Sequence, residues 1–166
     1  MIKSLIYILL FLLLPTASSC ISPSASDSGP KYFTVKKVVD GDTFWVDDGS
    51  EKGLKIRLIG VDAPETRRTR NKEIGYYAQE SKAFLTQLII GKKVRLEYDV
   101  DILDRYQRTL AYVYLEDNTF VNAELVKQGY AMVMTVPPNV KFAELFVKLQ
   151  QEARENNRGL WGKNEI

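Results

Sequence analysis

The chain has 166 residues, 45% of them apolar and 11% aromatic, which is enough for one packed domain. Its 23 Lys and Arg residues against 21 Asp and Glu leave a formal charge of +2, so the overall charge does not indicate a nucleic-acid partner. With no histidine and one cysteine, the sequence excludes Ser-His-Asp, Cys-His and His-zinc sites and an internal disulfide, and leaves carboxylates, arginines, tyrosines or a hard cation for any catalysis.

The first residues have the pattern of an export signal. After a basic start, an apolar run from Leu5 to Leu14 is too short for a comfortable membrane span, and small residues then lead to Cys20. That ending resembles a bacterial lipoprotein processing site, although Ala17 stands where the pattern prefers leucine. We predict an export signal over residues 1–19 and an extracytoplasmic protein anchored to a membrane by lipid at Cys20, with secretion after simple cleavage as the alternative.

A Ser/Pro-rich tether is predicted over residues 20–30, and the pattern then changes to strands and helices. Period-two alternation and turn residues predict five strands, and helical spacing predicts three helices. The order is three strands, a helix, two strands and two helices. It predicts an α+β fold, a five-stranded OB-like β-barrel with about three helices packed on it, over residues 31–162, followed by a tail at 163–166. The strand segments are 31–40, 43–48, 54–61, 94–100 and 109–115, and the helical segments are 77–90, 121–128 and 142–153.

The stretch "RLIGVDAPET", residues 57–66, places an arginine on a strand just before two carboxylates that flank a proline. Taken alone, Asp-Ala-Pro is an ordinary turn and Arg57 an ordinary solvated strand residue. Asp40-Gly41-Asp42 is similarly a common hairpin turn signal. These segments do not decide between a structural and a functional role one at a time.

In combination and in order, the motifs resemble the staphylococcal nuclease family. The resemblance is carried by "VVDGDTFWV", "IRLIGVDAPET", "DILDRYQRTLAYVYL", "VNAELVKQGYA" and the closing "RGLW", which together run through nearly all of the predicted mature chain. It implies a calcium-dependent endonuclease that hydrolyses DNA and RNA with little preference for the sugar and leaves 3′-phosphate ends. It also implies single- and double-stranded DNA and RNA as partners, and we expect a monomer.

The resemblance assigns roles to individual residues. Asp42, Asp62 and the carbonyl of Ala63 match the calcium ligands, and such a set leaves positions open for water and phosphate because Ca²⁺ takes about 6 to 8 oxygens. Glu65 matches the general base. The remaining matches are Arg57 and Arg108, which grip the scissile phosphate, and Arg105 and Tyr106, which contact a terminal phosphate of a bound nucleotide.

Some positions depart from the family pattern. Gln107 replaces a glycine that the family often has, and Thr135 and Pro137 stand where a well-known member has tyrosines near the bound nucleotide. Gln107 predicts a stiffer loop carrying Arg108, and Thr135 and Pro137 predict weaker nucleotide binding with the metal and arginine positions intact. A basic run at Arg67, Arg68, Arg70 and Lys72 is either a solvated loop or an arm that follows the phosphate backbone.

Two other functions are compatible with parts of the sequence. A non-catalytic OB-fold module that binds nucleic acid would have no need of Glu65 or of a pair of metal-binding carboxylates. A surface lipoprotein with a structural role is supported only by Cys20 and the tether.

Overall fold

The computed structural model describes residues 29–68 and 73–162. The export signal, Cys20, most of the tether and the C-terminal tail therefore lie outside the described residues, and their boundaries stay predictions. No helix within the described ranges is long and apolar enough to cross a bilayer. The strands are β1 Tyr32–Asp40, β2 Thr43–Asp47, β3 Leu54–Leu58, β4 Val61–Asp62, β5 Lys93–Glu97, β6 Thr109–Leu115 and β7 Met132–Val133; the helices are α1 Ala78–Ile89, α2 Val121–Lys127 and α3 Ala143–Glu155, followed by a 3₁₀ turn at Gly159–Trp161.

Five of these strands close into a barrel in the order β1-β2-β3-β6-β5, which confirms the predicted architecture. Neighbouring strands are antiparallel except β3 and β6, which run parallel. Alternate residues point inward because successive side chains of a strand face opposite sides. The interior is filled by fully buried apolar side chains, among them Phe44, Val46, Ile56, Val94 and Val113.

The three helices close the rest of the core. Leu85 and Ile89 on α1 are fully buried, as is Phe146 on α3, which joins an aromatic cluster with Tyr112. The buried Asn122 of α2 accepts a hydrogen bond from Val113 N at 2.9 Å and donates one to Ile59 O at 2.9 Å. This amide therefore ties α2 to the barrel at the point where β3 ends.

Two strand predictions were too long. The segment 54–61 is interrupted at Gly60, which has φ 77° and no room for a side chain because an added Cβ would collide with the Phe146 ring. The chain turns there, and β4 pairs with β7 outside the barrel. The segment 94–100 ends at Glu97, where Asp99 turns aside to accept hydrogen bonds from Tyr112 Oη at 2.9 Å and Lys141 N at 3.1 Å.

Candidate active site

A buried arginine and two carboxylates form the centre of the site. Arg57 on β3 is 6% exposed, and its Nη2 lies 3.2 Å from Asp42 Oδ2 and 2.9 Å from Asp62 Oδ1. Its Nη1 donates to the carbonyls of Leu58 at 2.8 Å and Val61 at 2.6 Å. Because these carbonyls lie on either side of the turn between β3 and β4, the side chain is fixed by the same turn that presents Asp62.

Asp42 lies against the backbone that follows β4, because the two chain segments approach each other closely. Asp42 Oδ2 accepts a hydrogen bond from Ala63 N at 3.0 Å, and its Oδ1 accepts one from the Thr43 hydroxyl at 2.8 Å. A Cβ added to Gly41 would lie 2.6 Å from Ala63 Cβ and 3.0 Å from Ser81 Cβ. The glycine of Asp-Gly-Asp is therefore required for the two segments to meet, which is more than a turn signal alone requires.

Asp40 is a member of this cluster that the sequence reasoning treated only as part of a turn. Burial raises its pKa above the usual 3.8, and the nearby charges of Asp42 and Glu65 raise it further. A hydrogen bond from Gly41 N at 3.0 Å opposes the shift. Glu65 is partly exposed just beyond Pro64, so three carboxylates from two segments, the β1–β2 turn and the chain after β4, share one electrostatic environment.

Arg108 is held by a loop built around Asp104. Asp104 Oδ1 accepts from the backbone N–H groups of Tyr106 at 2.8 Å and Arg108 at 2.9 Å, and its Oδ2 accepts from Arg108 Nε at 2.6 Å. Burial raises the pKa of Asp104, but these hydrogen bonds and the Arg108 charge outweigh it, so the pKa lies below its usual value. The carboxylate therefore fixes the loop and orients the guanidinium.

Tyr106 and Arg105 lie at the exposed tip of the same loop. Arg105 Nη2 donates to Tyr106 Oη at 2.7 Å, and the guanidinium groups of Arg105 and Arg108 stand 4.7 and 5.4 Å from the Tyr106 ring centroid. Gln107 has φ 60°, a conformation that favours glycine and costs other residues about 1–2 kcal/mol. The loop thus keeps the conformation expected of a glycine at this position.

Arg57 and Arg108 line a common cleft of about 470 Å³. Met134, Val136 and Pro137 form its apolar side, whereas Thr135 is not among the lining residues. Of the two positions where a well-known family member has tyrosines, only Pro137 therefore borders the cleft.

The oxygen donors suit a hard cation. No three His, Cys, Asp or Glu side chains of the described residues form a metal-binding group, but the implied set contains only two carboxylates and one carbonyl. Asp42 and Asp62 already converge on a shared positive charge at Arg57 Nη2, and Ala63 is held beside them. Oxygen ligands with open coordination positions are what Ca²⁺ accepts.

Two residues of the basic run, Arg67 and Arg68, lie in the described part of the chain. Arg67 and Arg68 are exposed, and Arg68 forms a salt bridge of 2.8 Å with Glu73 between two side chains that are each more than 70% exposed. Arg70 and Lys72 lie outside the described residues. A contact of this exposure adds little stability.

The cleft of the OB-like barrel is lined by Arg57 and Arg108, and Arg57 also contacts the paired carboxylates Asp42 and Asp62. The model of the staphylococcal nuclease homologue family matches residues 55–163. A thermonuclease from Staphylococcus intermedius is 40% identical over 139 residues, covering 83% of this chain and 80% of that protein. Another from Staphylococcus hyicus is 39% identical over 141 residues, covering 84% and 81%.

A more distant relative, endonuclease YncB of Bacillus subtilis strain 168, is 35% identical over 133 residues, covering 79% of this chain and 62% of its own. The chain belongs to the staphylococcal nuclease family. It is a nuclease, an enzyme that hydrolyses nucleic acid.

Proposed function

We propose that the protein is a calcium-dependent endonuclease that cleaves DNA and RNA without sugar preference and leaves 3′-phosphate ends. The observation that carries this proposal is the placement of Arg57 and Arg108 in one cleft, with Asp42 and Asp62 on the Arg57 guanidinium. Arg57 comes from β3 and Arg108 from the loop before β6, about 50 positions further along the chain, and guanidinium groups bind phosphate through charge-assisted hydrogen bonds.

In this proposal the two guanidinium groups bind the non-bridging oxygens of the scissile phosphate. These oxygens gain negative charge as water attacks phosphorus, so donors fixed in advance stabilise the transition state more than the bound substrate. The rigid mounting of Arg57 on two carbonyls and of Arg108 on Asp104 supports that role. Arg105 and Tyr106 at the loop tip would contact the next phosphate of the strand.

Asp42, Asp62 and the Ala63 carbonyl would hold the calcium ion, which when bound supplies positive charge beside the phosphate. Glu65 would accept the proton of the attacking water on a carboxylate oxygen. The new bond joins the water oxygen to phosphorus and the P–O5′ bond breaks. The 5′ oxygen leaves with the electron pair of that bond and takes up a proton from water, so the products are a 3′-phosphate and a 5′-hydroxyl.

The test is cleavage of single-stranded DNA and RNA by the full chain, purified in detergent, in calcium, magnesium and chelator. We expect cleavage in millimolar Ca²⁺ and much less in Mg²⁺, which demands stricter octahedral geometry. Glu65→Gln keeps the shape of the side chain, and we expect it to lower kcat by at least about 10²-fold. Undiminished cleavage in chelator would refute the proposal, and nucleic-acid binding without cleavage would favour a non-catalytic module.

We also propose that the nuclease is exported and anchored at Cys20 through the tether, facing away from the cytoplasm. The signal pattern and the small residues before Cys20 support this. Cys20→Ser should then release the protein from the membrane fraction or stall its processing. Metabolic labelling that finds no lipid on the wild-type protein would count against the anchor.

A further inference from the structure

The outer face of β2 and β3 continues beyond the active site. Thr43 pairs with Arg57 across the two strands, and two positions further along Trp45 pairs with Lys55. Because alternate residues of a strand share a face, Trp45 and Lys55 lie on the same side of the sheet as Thr43 and Arg57. The two pairs are about 6.6 Å apart along the strands.

Trp45 is surrounded by lysines. The amines of Lys52 and Lys55 stand 5.8 and 5.9 Å from its ring centroid, and Lys37 pairs with it from β1. Lys37 and Lys52 are exposed, and Trp45 and Lys55 are partly exposed. We call these four residues the Trp45 surface.

Packing of the barrel does not require the side chains of the Trp45 surface. Phe44 and Val46, on either side of Trp45, are fully buried and supply the inward packing of β2. Among the described residues none of the three lysines has a carboxylate within ion-pair distance. A large aromatic ring with several cations around it on an outward sheet face is the composition that binds single strands by stacking and charge.

We propose that the Trp45 surface is a further subsite for single-stranded nucleic acid, on which a base next to the scissile phosphate stacks. The inference rests on the proposed function, because it takes Arg57 as a phosphate-binding residue. The separation of the two strand pairs matches one step of an extended nucleotide chain. Lys37, Lys52 and Lys55 then contact the phosphates that flank the stacked base.

The electrostatics limit the extent of the subsite. Asp47, the next outward residue of β2, and Asp48 begin an acidic turn. A phosphate backbone is repelled from these two carboxylates, so the surface accommodates about one nucleotide beyond Arg57. The nucleic-acid strand then leaves the barrel towards Lys37 on β1.

The experiment measures binding in chelator, so that cleavage does not interfere, with the full chain in detergent. The chain has two tryptophans, and Trp161→Phe leaves Trp45 as the only indole. We expect oligothymidylate to quench the fluorescence of this variant, because a stacked base lies against the indole. Trp45→Ala should weaken binding of a long oligothymidylate by about 10-fold or more, the effect of losing one stacked base.

Short and long ligands separate the subsite from the central site. A nucleoside 3′,5′-bisphosphate fits between Arg57 and the Arg105 loop, so its affinity should be the same in wild type and Trp45→Ala. Lys55→Gln should lower the dependence of oligonucleotide binding on salt, whereas the matched control Lys148→Gln, at an exposed position of α3, should not.

Three results would overturn the inference. They are equal oligonucleotide affinity in wild type and Trp45→Ala, no quenching in Trp161→Phe, and a Trp45→Ala defect confined to binding of vesicles that contain anionic lipid. Quenching and weakened binding in a protein that cleaves nothing in calcium would instead leave the subsite standing and refute the proposed nuclease mechanism.

Discussion

At the scale of single residues, Arg57 and Arg108 are placed by different forces although the proposed mechanism gives them the same task. Arg57 is buried and donates to two carbonyls and two carboxylates. Arg108 is a quarter exposed and depends on one carboxylate, Asp104. Replacement by lysine, which keeps the charge, therefore removes more contacts at Arg57 than at Arg108.

We predict that Arg108→Lys lowers kcat by about 10²-fold or more, because lysine lacks the two-pronged donor, while the melting temperature changes little. Arg57→Lys should lose similar activity and also about 1–3 kcal/mol of stability, since a buried group is left without its donor. Steady-state kinetics and thermal unfolding measure the two effects. Arg95→Lys, in a residue stacked on Tyr114 outside the cleft, is the matched control, and a loss confined to KM would contradict the role.

At the scale of elements, the turn at Gly60 decides where the active-site residues lie. It ends β3, and it lets β4 pair with β7 so that Asp62 reaches Arg57. Its positive φ suits glycine, and the Phe146 ring of α3 occupies the space of a side chain. The position of Asp62 therefore depends on how α3 packs.

We predict that Gly60→Ala destabilises the protein by about 2–4 kcal/mol, combining backbone strain with overpacking against Phe146. Activity should fall even where the protein remains folded, because the turn that holds Arg57 and Asp62 has to shift. Denaturant unfolding and kinetics at low temperature measure these effects. Gly49 also has a positive φ, 90°, but open space around it, so Gly49→Ala measures the backbone strain alone. Equal losses of stability in both variants would contradict the packing argument.

At the scale of the whole molecule, Asp99 joins three parts of the fold. Its carboxylate follows β5 and accepts hydrogen bonds from Tyr112 of β6 and from Lys141, just before α3. Burial raises the pKa of Asp99, but the hydrogen bonds from Lys141, Tyr112 and Val100 outweigh it, and the pKa lies below the usual 3.8. Burial and Asp99 both raise the pKa of Tyr112.

A carboxylate whose folded-state pKa is lowered stabilises the protein fully above its unfolded pKa, and this stability is lost as pH falls through the folded value. We therefore predict that Asp99→Asn destabilises the protein by about 1 kcal/mol at pH 7, the net worth of a hydrogen bond, and by progressively less below pH 3.8. Unfolding by denaturant at several pH values measures this. Asp117→Asn changes only an exposed turn carboxylate that binds Thr119, and an equal effect there would refute the linking role.

The sequence by itself determined the class of fold and the family. Strand alternation predicted the barrel because burial on one face imposes period two, and the ordered motifs identified the family whose site residues match Arg57, Asp62 and Arg108. Their roles as a catalytic and metal-binding set stay predictions. The motifs, however, specify only which residue types follow one another along the chain.

Only the tertiary structure decided which of these residues meet. The break at Gly60 depends on Phe146, more than 80 positions away, and the end of β5 depends on bonds from Asp99 to β6 and the approach to α3. Burial raises the pKa of Asp40. The register of β2 and β3 places Trp45 on the same face of the sheet as Arg57. Local periodicity indicates which face of an element a side chain occupies. Contacts between distant segments are set by tertiary packing, so a local sequence pattern does not predict them.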